Sequence, residues 1–337
     1  MDTFTGKLAV VTGGGSGMGR ELVRQLAAQG CSVATCDLNA EAVTVTAATS
    51  WAAAPPGVKV TGHACDVADE AQVLRFRDEL LAEHDADHVD LVFSNAGMGG
   101  GESFIAGPRE VWERTFAVDW WGVYYCARAF LPLLIASDEG VLVNTSSVNG
   151  IWASLGPGVP QTAYSTAKFA VRGFSEALIE DLRTHAPHVR VAVVMPGHVG
   201  TDIVANSLRA RGLPDPGQMS DAQVEELIPR EVQTRLIQAG LLAGDASAGS
   251  APASELRQML VRANADFRDK APVSAAEAAT IILDGVRSGS WRILIGDDAR
   301  MIDAKVRAQP EAAYDYAQLF GAQAATPAEP AAGAPES

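Results

Sequence analysis

Positive charge is scarce in this chain. Lys and Arg number 26 against 41 Asp and Glu, a formal net charge of -15 over 337 residues. That balance argues against a nucleic-acid footprint and against attraction to anionic membranes. No apolar run approaches the length that spans a bilayer. The opening MDTFTGK has no apolar signal region, so the expectation is a protein that stays in the cytoplasm. Four cysteines (Cys31, Cys36, Cys65 and Cys126) form no CxxC pair and no disulfide-dense pattern, and they read as reduced, buried thiols. The six histidines are scattered, none at ligand spacing beside a cysteine or carboxylate cluster, and no metal is expected. Internal repeats are absent. What is present is 47% hydrophobic and 20% charged, enough apolar material for a sizeable core.

The first two-thirds alternate short β-branched runs with longer helix-like segments. Strands are expected at Lys7 to Val11, Ser32 to Cys36, Val58 to His63, Val89 to Ser94, Val141 to Thr145, Val191 to Met195 and Trp291 to Ile295. Several are apolar on consecutive residues, the pattern of strands covered on both faces. Helices are expected over Gly17 to Gln29, Ala68 to Glu83, Arg109 to Ala136 and Thr162 to His185. The alternation predicts an α/β fold, a Rossmann-type doubly wound parallel sheet of about seven strands with helices on both faces. One domain over 1–321 is expected. It contains an insertion at about 201–272 of polar helix and loop that reads as a substrate lid. Residues 322–337, rich in Ala and Pro, read as a flexible tail.

Thr12-Gly13-Gly14-Gly15-Ser16-Gly17-Met18-Gly19 follows the first strand. Glycines at a strand-to-helix turn let backbone approach a ligand and aim N–H groups at a pyrophosphate. The spacing is TGxxxGxG rather than GxGxxG, with Gly13, Gly17 and Gly19 as the frame. Asp37 ends the second strand, where a carboxylate accepts from both ribose hydroxyls and repels a 2′-phosphate. No Lys or Arg follows at Leu38 or Asn39, so the cofactor expected is NAD rather than NADP. Asp66 and Val67 after the third strand, and Asn95, Ala96 and Gly97 after the fourth, occupy strand ends where adenine and ribose would lie. Taken singly, each is also ordinary loop chemistry.

Tyr164-Ser165-Thr166-Ala167-Lys168 places a phenol and an ammonium on one helix face, one turn apart. A nearby cation stabilises phenolate; bringing a tyrosine from about 10 to neutrality takes roughly 4 kcal/mol. A tyrosinate so poised serves as general base toward an alcohol. Ser147, just past the fifth strand, would hold the substrate oxygen beside it.

Together these motifs resemble the short-chain dehydrogenase/reductase family over roughly residues 5 to 201, and again near 273 to 320. The resemblance implies that Gly13, Gly15, Ser16, Gly17, Met18, Gly19, Asp37, Leu38, Asp66, Val67, Asn95, Ala96, Gly97, Tyr164 and Lys168 bind the cofactor. It implies catalysis by Ser147, Tyr164 and Lys168. A PG motif falls on Pro196 and Gly197, and Val199 and Thr201 then border the nicotinamide carboxamide. It also implies homodimers or homotetramers built through the two long helices. Two departures stand out. Asp119 occupies the place of a catalytic asparagine whose backbone carbonyl holds a relay water. It keeps that backbone, while its carboxylate could pair with a buried cation or be protonated. The stretch from Ser147 to Tyr164 is a few residues longer than usual and contains Trp152.

The expected activity is interconversion of a secondary alcohol and a ketone. Ser147, Trp152, Leu155, Tyr164 and His198 are the candidate substrate contacts, with Gly99 and Met195 close by. Trp and Leu lean the substrate toward apolar alcohols. Trp120 and Trp121 are expected at a helix seam or an oligomer contact. The Arg-bearing stretch from Ser207 to Arg211 either draws an anionic substrate or is an exposed charged helix. An NAD-sensing module without turnover is the rival reading. A methyltransferase on a similar sheet gives no reason for Ser147, Tyr164 and Lys168 to co-occur, and sugar-nucleotide dehydratases and epimerases usually carry a different glycine turn.

Overall fold

A computed structural model describes residues 1–100, 103–156, 159–228, 230–238, 242–243 and 250–320. In chain order the elements are β1 (Leu8–Thr12), α1 (Gly17–Ala28), β2 (Ser32–Asp37), α2 (Ala40–Ala52), β3 (Val60–Ala64), α3 (Glu70–His84), β4 (Leu91–Ser94), α4 (Arg109–Phe116), α5 (Gly122–Ile135), β5 (Val141–Thr145) and α6 (Thr162–His185). There follow β6 (Arg190–Pro196), β7 (Val199–Gly200), α7 (Ile203–Ala210), α8 (Asp221–Leu227), α9 (Arg230–Gln238), α10 (Ala253–Asp269), β8 (Val273–Ser274), α11 (Ala275–Arg287), β9 (Arg292–Ile295), α12 (Asp297–Ala308) and α13 (Tyr316–Phe320).

Seven strands make one sheet in the order β3-β2-β1-β4-β5-β6-β9, with every neighbouring pair parallel. Parallel strands are joined by crossovers that lay helices over both faces, so strand residues bury whichever way they point. The consecutive apolar runs follow from this. Ala9 and Val11 of β1 face the core shared with α1 and α11, among Leu22, Leu26, Ile282 and Leu283. Leu8 and Val10 face the opposite core with α3, α5 and α6, among Phe76, Phe130, Leu178 and Leu182. Chain order reverses at β1, which has β2 on one side and β4 on the other, and this opens a crevice at the carboxyl edge between β1 and β4.

The expected helix over Arg109 to Ala136 is not one regular α-helix. Residues Ala117–Trp121 form a π turn between α4 and α5. A π turn adds one residue to the turn and rotates the side chains it carries. Here it leaves Asp119 fully buried and Trp121 partly exposed. Trp120 meets Phe174 of α6 edge-on at 5.6 Å, and Trp121 lies against Tyr124 and Tyr125.

The segment expected as a lid is helical and has a small core of its own, in which Leu208, Met219, Val224, Ile228 and Leu256 are buried. Its two ends are pinned together where β7 pairs in parallel with β8, Val199 opposite Val273. The whole of the expected tail, 322–337, and residues 244–249 of the insertion lie outside the described residues. No helix among the described residues is long and apolar enough to cross a membrane. The four cysteines are free and buried.

The C-terminal segment is fastened to the loop that follows β5. Trp152 is buried against Ala313 and Tyr316, and its indole N–H donates to the Ala313 carbonyl. The Ala153 amide donates to the Tyr314 hydroxyl at 3.3 Å, and the Ser154 and Tyr316 hydroxyls share a hydrogen bond. From inside the loop, the Asn149 side-chain amide donates to the Trp152 and Ser154 carbonyls. Truncation after Gln309 removes this clasp and exposes Trp152. The expected result is a red-shifted Trp152 emission and faster proteolysis within 147–164, with the sheet still folded. A loop as resistant as in the full chain counts against the clasp.

Candidate active site

The glycine turn is held from both sides. Gly13 and Gly14 donate their amides to the Cys36 carbonyl of β2 at 2.8 and 3.0 Å. The Thr12 hydroxyl accepts from the Asn95 and Ala96 amides at 3.0 Å each, and the Asn95 side chain returns a bond to the Thr12 carbonyl at 3.1 Å. Gly13 has φ +72, and a Cβ there would stand 2.8 Å from Ala96 Cα. A Cβ on Gly19 would stand 2.1 Å from the Gly13 carbonyl oxygen. Bare backbone at both places is therefore a packing requirement. Ser16 precedes α1 without capping it through its side chain, so the first amides of that helix stay available to an anion.

A hollow of about 370 Å³ opens at this crevice. It gathers Gly13, Ser16, Gly17, Met18, Asp37, Leu38, Asp66, Val67, Asn95, Ala96, Gly97 and Thr201 from five separate stretches of chain. The Asp37 carboxylate accepts from the Gly15 amide with one oxygen and from the Asn39 amide with the other, both at 2.9 Å. That pins it in a fixed pose beside the glycine turn. Asp66 is less free than its position in the chain implies. It accepts from the Ala68 amide and pairs with Arg114 at 2.8 Å.

Three lining residues not singled out from the sequence are Arg114 from α4 and Ile203 and Asn206 from α7; Arg209 and Ala210, from the Arg-bearing stretch Ser207 to Arg211, also reach the hollow. The Asn206 side chain donates to the Ser16 hydroxyl at 2.7 Å, across the mouth of the glycine turn. The Gly99 amide donates to Ser207 at 2.7 Å. Arg209 pairs with Asp215 at 2.9 Å at the edge of the hollow. The i, i+3 spacing of Ile203, Asn206 and Arg209 was readable. Nothing in the sequence said which surface that face would cover.

Ser147, Tyr164 and Lys168 do not line the hollow, but they meet just beyond its Gly97 end. Register between β5 and α6 is set by the Ser146 hydroxyl donating to the Lys168 carbonyl at 2.7 Å and by Asn144 donating to Ser175 at 3.0 Å. A Cβ on Gly150 would lie 2.7 Å from that same carbonyl, so the loop passes tight against α6. Ser147 is buried and accepts from the Asn149 amide. Lys168 Nζ sits 5.4 Å from the centre of the Tyr164 ring and donates to the Thr145 carbonyl at 3.2 Å.

Its closest partner is Asp119, at 2.8 Å. Of the two fates open to that carboxylate, pairing with a buried cation is the one seen. The Met98 amide also donates to Asp119 Oδ1, while Oδ2 has no partner among the described residues. Burial pushes the Asp119 carboxyl up, against the pull of Lys168. Burial also works against the Lys168 ammonium, but Asp119 and Tyr164 together outweigh it and hold Lys168 above its ordinary range. Burial raises the Tyr164 phenol and Asp119 adds to that, against the lowering by Lys168 and by the hydrogen bond from Ser147.

Three residues expected to face substrate lie elsewhere. Trp152 is turned into the C-terminal clasp, because its indole N–H finds a carbonyl there and its ring a dry surface. His198 donates its amide to Asp298 at 2.7 Å, and its ring Nε2 lies 2.8 Å from the Phe267 carbonyl. It staples α10 and α12 to the loop after β6. Met195 is fully buried beside Ile151 and Val193. Leu155 is largely exposed. Pro196, Gly197 and Val199 stand behind the hollow. Gly197 donates its amide to the Ile295 carbonyl, and Val199 belongs to the core under α11.

Gly19→Ala tests the turn directly. The added methyl displaces the Gly13 carbonyl, so dinucleotide affinity should fall at least about tenfold while thermal unfolding stays cooperative. Unchanged affinity by calorimetry would show that the turn is not the phosphate site.

The family model for "short chain dehydrogenase" matches residues 7–212. A Mycobacterium tuberculosis protein named SadH is 37% identical over 212 residues, 63% of this chain and 74% of its own. Epidermal retinol dehydrogenase 2 of Homo sapiens is 31% identical over 198 residues, 58% of this chain and 61% of its own. Among solved structures, a short-chain dehydrogenase/reductase from Burkholderia phymatum in complex with NAD superposes with a TM-score of 0.68 at 26% identity, covering 92% of this chain and 97% of that one. A metagenomic short-chain oxidoreductase in complex with NADP superposes with a TM-score of 0.51 at 31% identity, covering 58% and 83%. With the strand order, the glycine turn and the Ser147, Tyr164 and Lys168 cluster in one molecule, the chain belongs to the short-chain dehydrogenase/reductase family.

Proposed function

We propose that this enzyme interconverts a secondary alcohol and a ketone with NAD as cofactor. The observation that carries the reading is the meeting of Ser147, Tyr164 and Lys168 beside Gly97, just beyond the end of a hollow that also takes in Asp37. The residues fit a dinucleotide. The glycine cradle admits no side chain at Gly13 or Gly19, and the amides opening α1 suit a pyrophosphate. The Asp37 carboxylate, fixed by Gly15 and Asn39, suits ribose hydroxyls and opposes a 2′-phosphate. The two arginines lining the hollow already have carboxylate partners, Arg114 in Asp66 and Arg209 in Asp215.

A bound nicotinamide supplies the hydride acceptor or donor. The chain's own residues do the rest. Ser147 and Tyr164 hold the substrate oxygen. In oxidation the Tyr164 phenolate takes the hydroxyl proton; in reduction the phenol returns it. Lys168 stabilises phenolate through its charge. Met98, Val118 and Ile203 give the inner hollow apolar walls, which favours an apolar substrate even though Trp152 faces away; the human relative is itself named for retinol. Self-association would use the faces of the π turn before α5 and of α6, where Trp121 and Phe169 are exposed.

The test is NADH formation from a panel of secondary alcohols, with NADP assayed beside NAD. Turnover is expected with NAD alone, and Asp37→Ser should admit NADP. Tyr164→Phe should lower turnover by about 10³-fold while leaving NAD affinity within about twofold. Wild-type preference for NADP would overturn the cofactor assignment, and retained turnover in Tyr164→Phe would overturn the mechanism. Tight NAD binding without turnover on any substrate would favour a sensing module.

A further inference from the structure

We infer that Asp119 sets the pH at which this site passes from proton donor to proton acceptor: by pairing with the Lys168 ammonium it keeps Tyr164 a protonated phenol at neutral pH, ready to donate to a carbonyl. The inference rests on the reading of Tyr164 as the acid–base group and adds a positioning residue that acts on it through Lys168.

The geometry carries the argument. Asp119 is fully buried, and its Oδ1 lies 2.8 Å from Lys168 Nζ. Lys168 is itself almost completely buried. An ammonium alone at 5.4 Å from the phenol ring would pull the phenol strongly toward phenolate. An ammonium paired with a carboxylate presents a dipole instead, and Asp119 opposes the field of Lys168 at the phenol. Among the described residues no further charged group acts on the phenol, and on α6 the titratable group facing it is Lys168, one turn away. The π turn contributes Asp119. The end of β5 contributes the Ser147 hydroxyl and the Thr145 carbonyl, and the loop after β4 contributes the Met98 amide. Burial of the phenol works in the same direction as Asp119.

The proton balance then separates the two directions. Reduction needs a phenol that gives its proton to the alkoxide as hydride arrives at carbon, and this site holds that form at neutral pH. Oxidation needs phenolate to accept the hydroxyl proton, and that form appears only toward alkaline pH.

Asp119→Asn replaces the charge and keeps the shape. Lys168 then loses its counter-charge, and the ammonium and phenol share the remaining proton, so the first loss from the pair comes at lower pH. The decisive measurement needs neither substrate nor cofactor: tyrosinate absorbance titrated in wild type and in Asp119→Asn, each against its Tyr164→Phe counterpart. Tyr164 of the wild type is expected to titrate no lower than an ordinary tyrosine. In Asp119→Asn its titration should move down by about 1–2 pH units. With any alcohol that turns over, the pH at which kcat for oxidation reaches half its maximum should fall by the same 1–2 units. Asp119→Ser, smaller and also neutral, should move the titration the same way if the Asn variant folds poorly. A wild-type Tyr164 already ionised near neutrality, or a neutral variant whose titration stays or rises, overturns the inference. Failure to find a substrate leaves the titration readable, so loss of the proposed reaction and loss of this inference are distinguishable.

Discussion

The site depends on how closely β1 and β4 are drawn together at their carboxyl ends. Thr12 lies at the end of one strand, and Asn95 and Ala96 just past the end of the other, and three hydrogen bonds tie them. That lock fixes the turn after β1 against the loop after β4. Gly13 must then be bare because Ala96 is beneath it, and Gly19 because α1 begins against the Gly13 carbonyl. Gly97 follows Ala96 directly, and a side chain there would run into Asp119 and Lys168. The same lock thus joins the phosphate turn to the proton-handling cluster through three residues of backbone. Reversal of strand order at β1 makes the crevice, and the lock gives it a fixed width.

The walls above the crevice come from chain that does not belong to the sheet. α7 lays Asn206 over Ser16 and Ser207 under Gly99, and β7 with β8 pins the insertion at its base. A small apolar core holds its helices to one another rather than to the sheet. The loop after Ser147, beyond the hollow, is held differently. Hydrogen bonds from Trp152, Ala153 and Ser154 reach the segment around α13.

Much of this was legible in the sequence, and the reason is local. Consecutive apolar residues in β1, β4 and β5 are required by burial on two faces, so each run announces a parallel strand. The glycine turn and the Tyr164 to Lys168 spacing are dictated by a single helix start and a single helix face. What was not legible depended on long-range placement. Trp152 reads as a pocket wall because nothing near it in the chain reveals a carbonyl at Ala313 waiting for its N–H. His198 reads as a substrate contact for the same reason, its partners being Phe267 and Asp298. The π turn at Ala117–Trp121 carries no Gly or Pro to mark it. Arg114 and Asn206 reach the cleft only once α4 and α7 have docked.

Asp119 joins these two kinds of information. Its identity is plain in the chain, but its consequence follows only from its neighbours. A carboxylate in a fully buried place without a cation would be driven neutral, and a buried lysine without an anion would tend to shed its proton. Each therefore stabilises the charged form of the other, and the pair enters the interior together where neither would alone. That mutual dependence changes what the phenol beside them experiences. A lysine kept charged for its own sake would be a source of positive potential. A lysine kept charged by a carboxylate at 2.8 Å has most of that potential already spent. The charge that makes Lys168 permanent is the same charge that limits its reach toward Tyr164, so in this active site the permanence of the ammonium and the acidity of the phenol cannot both be raised by Asp119.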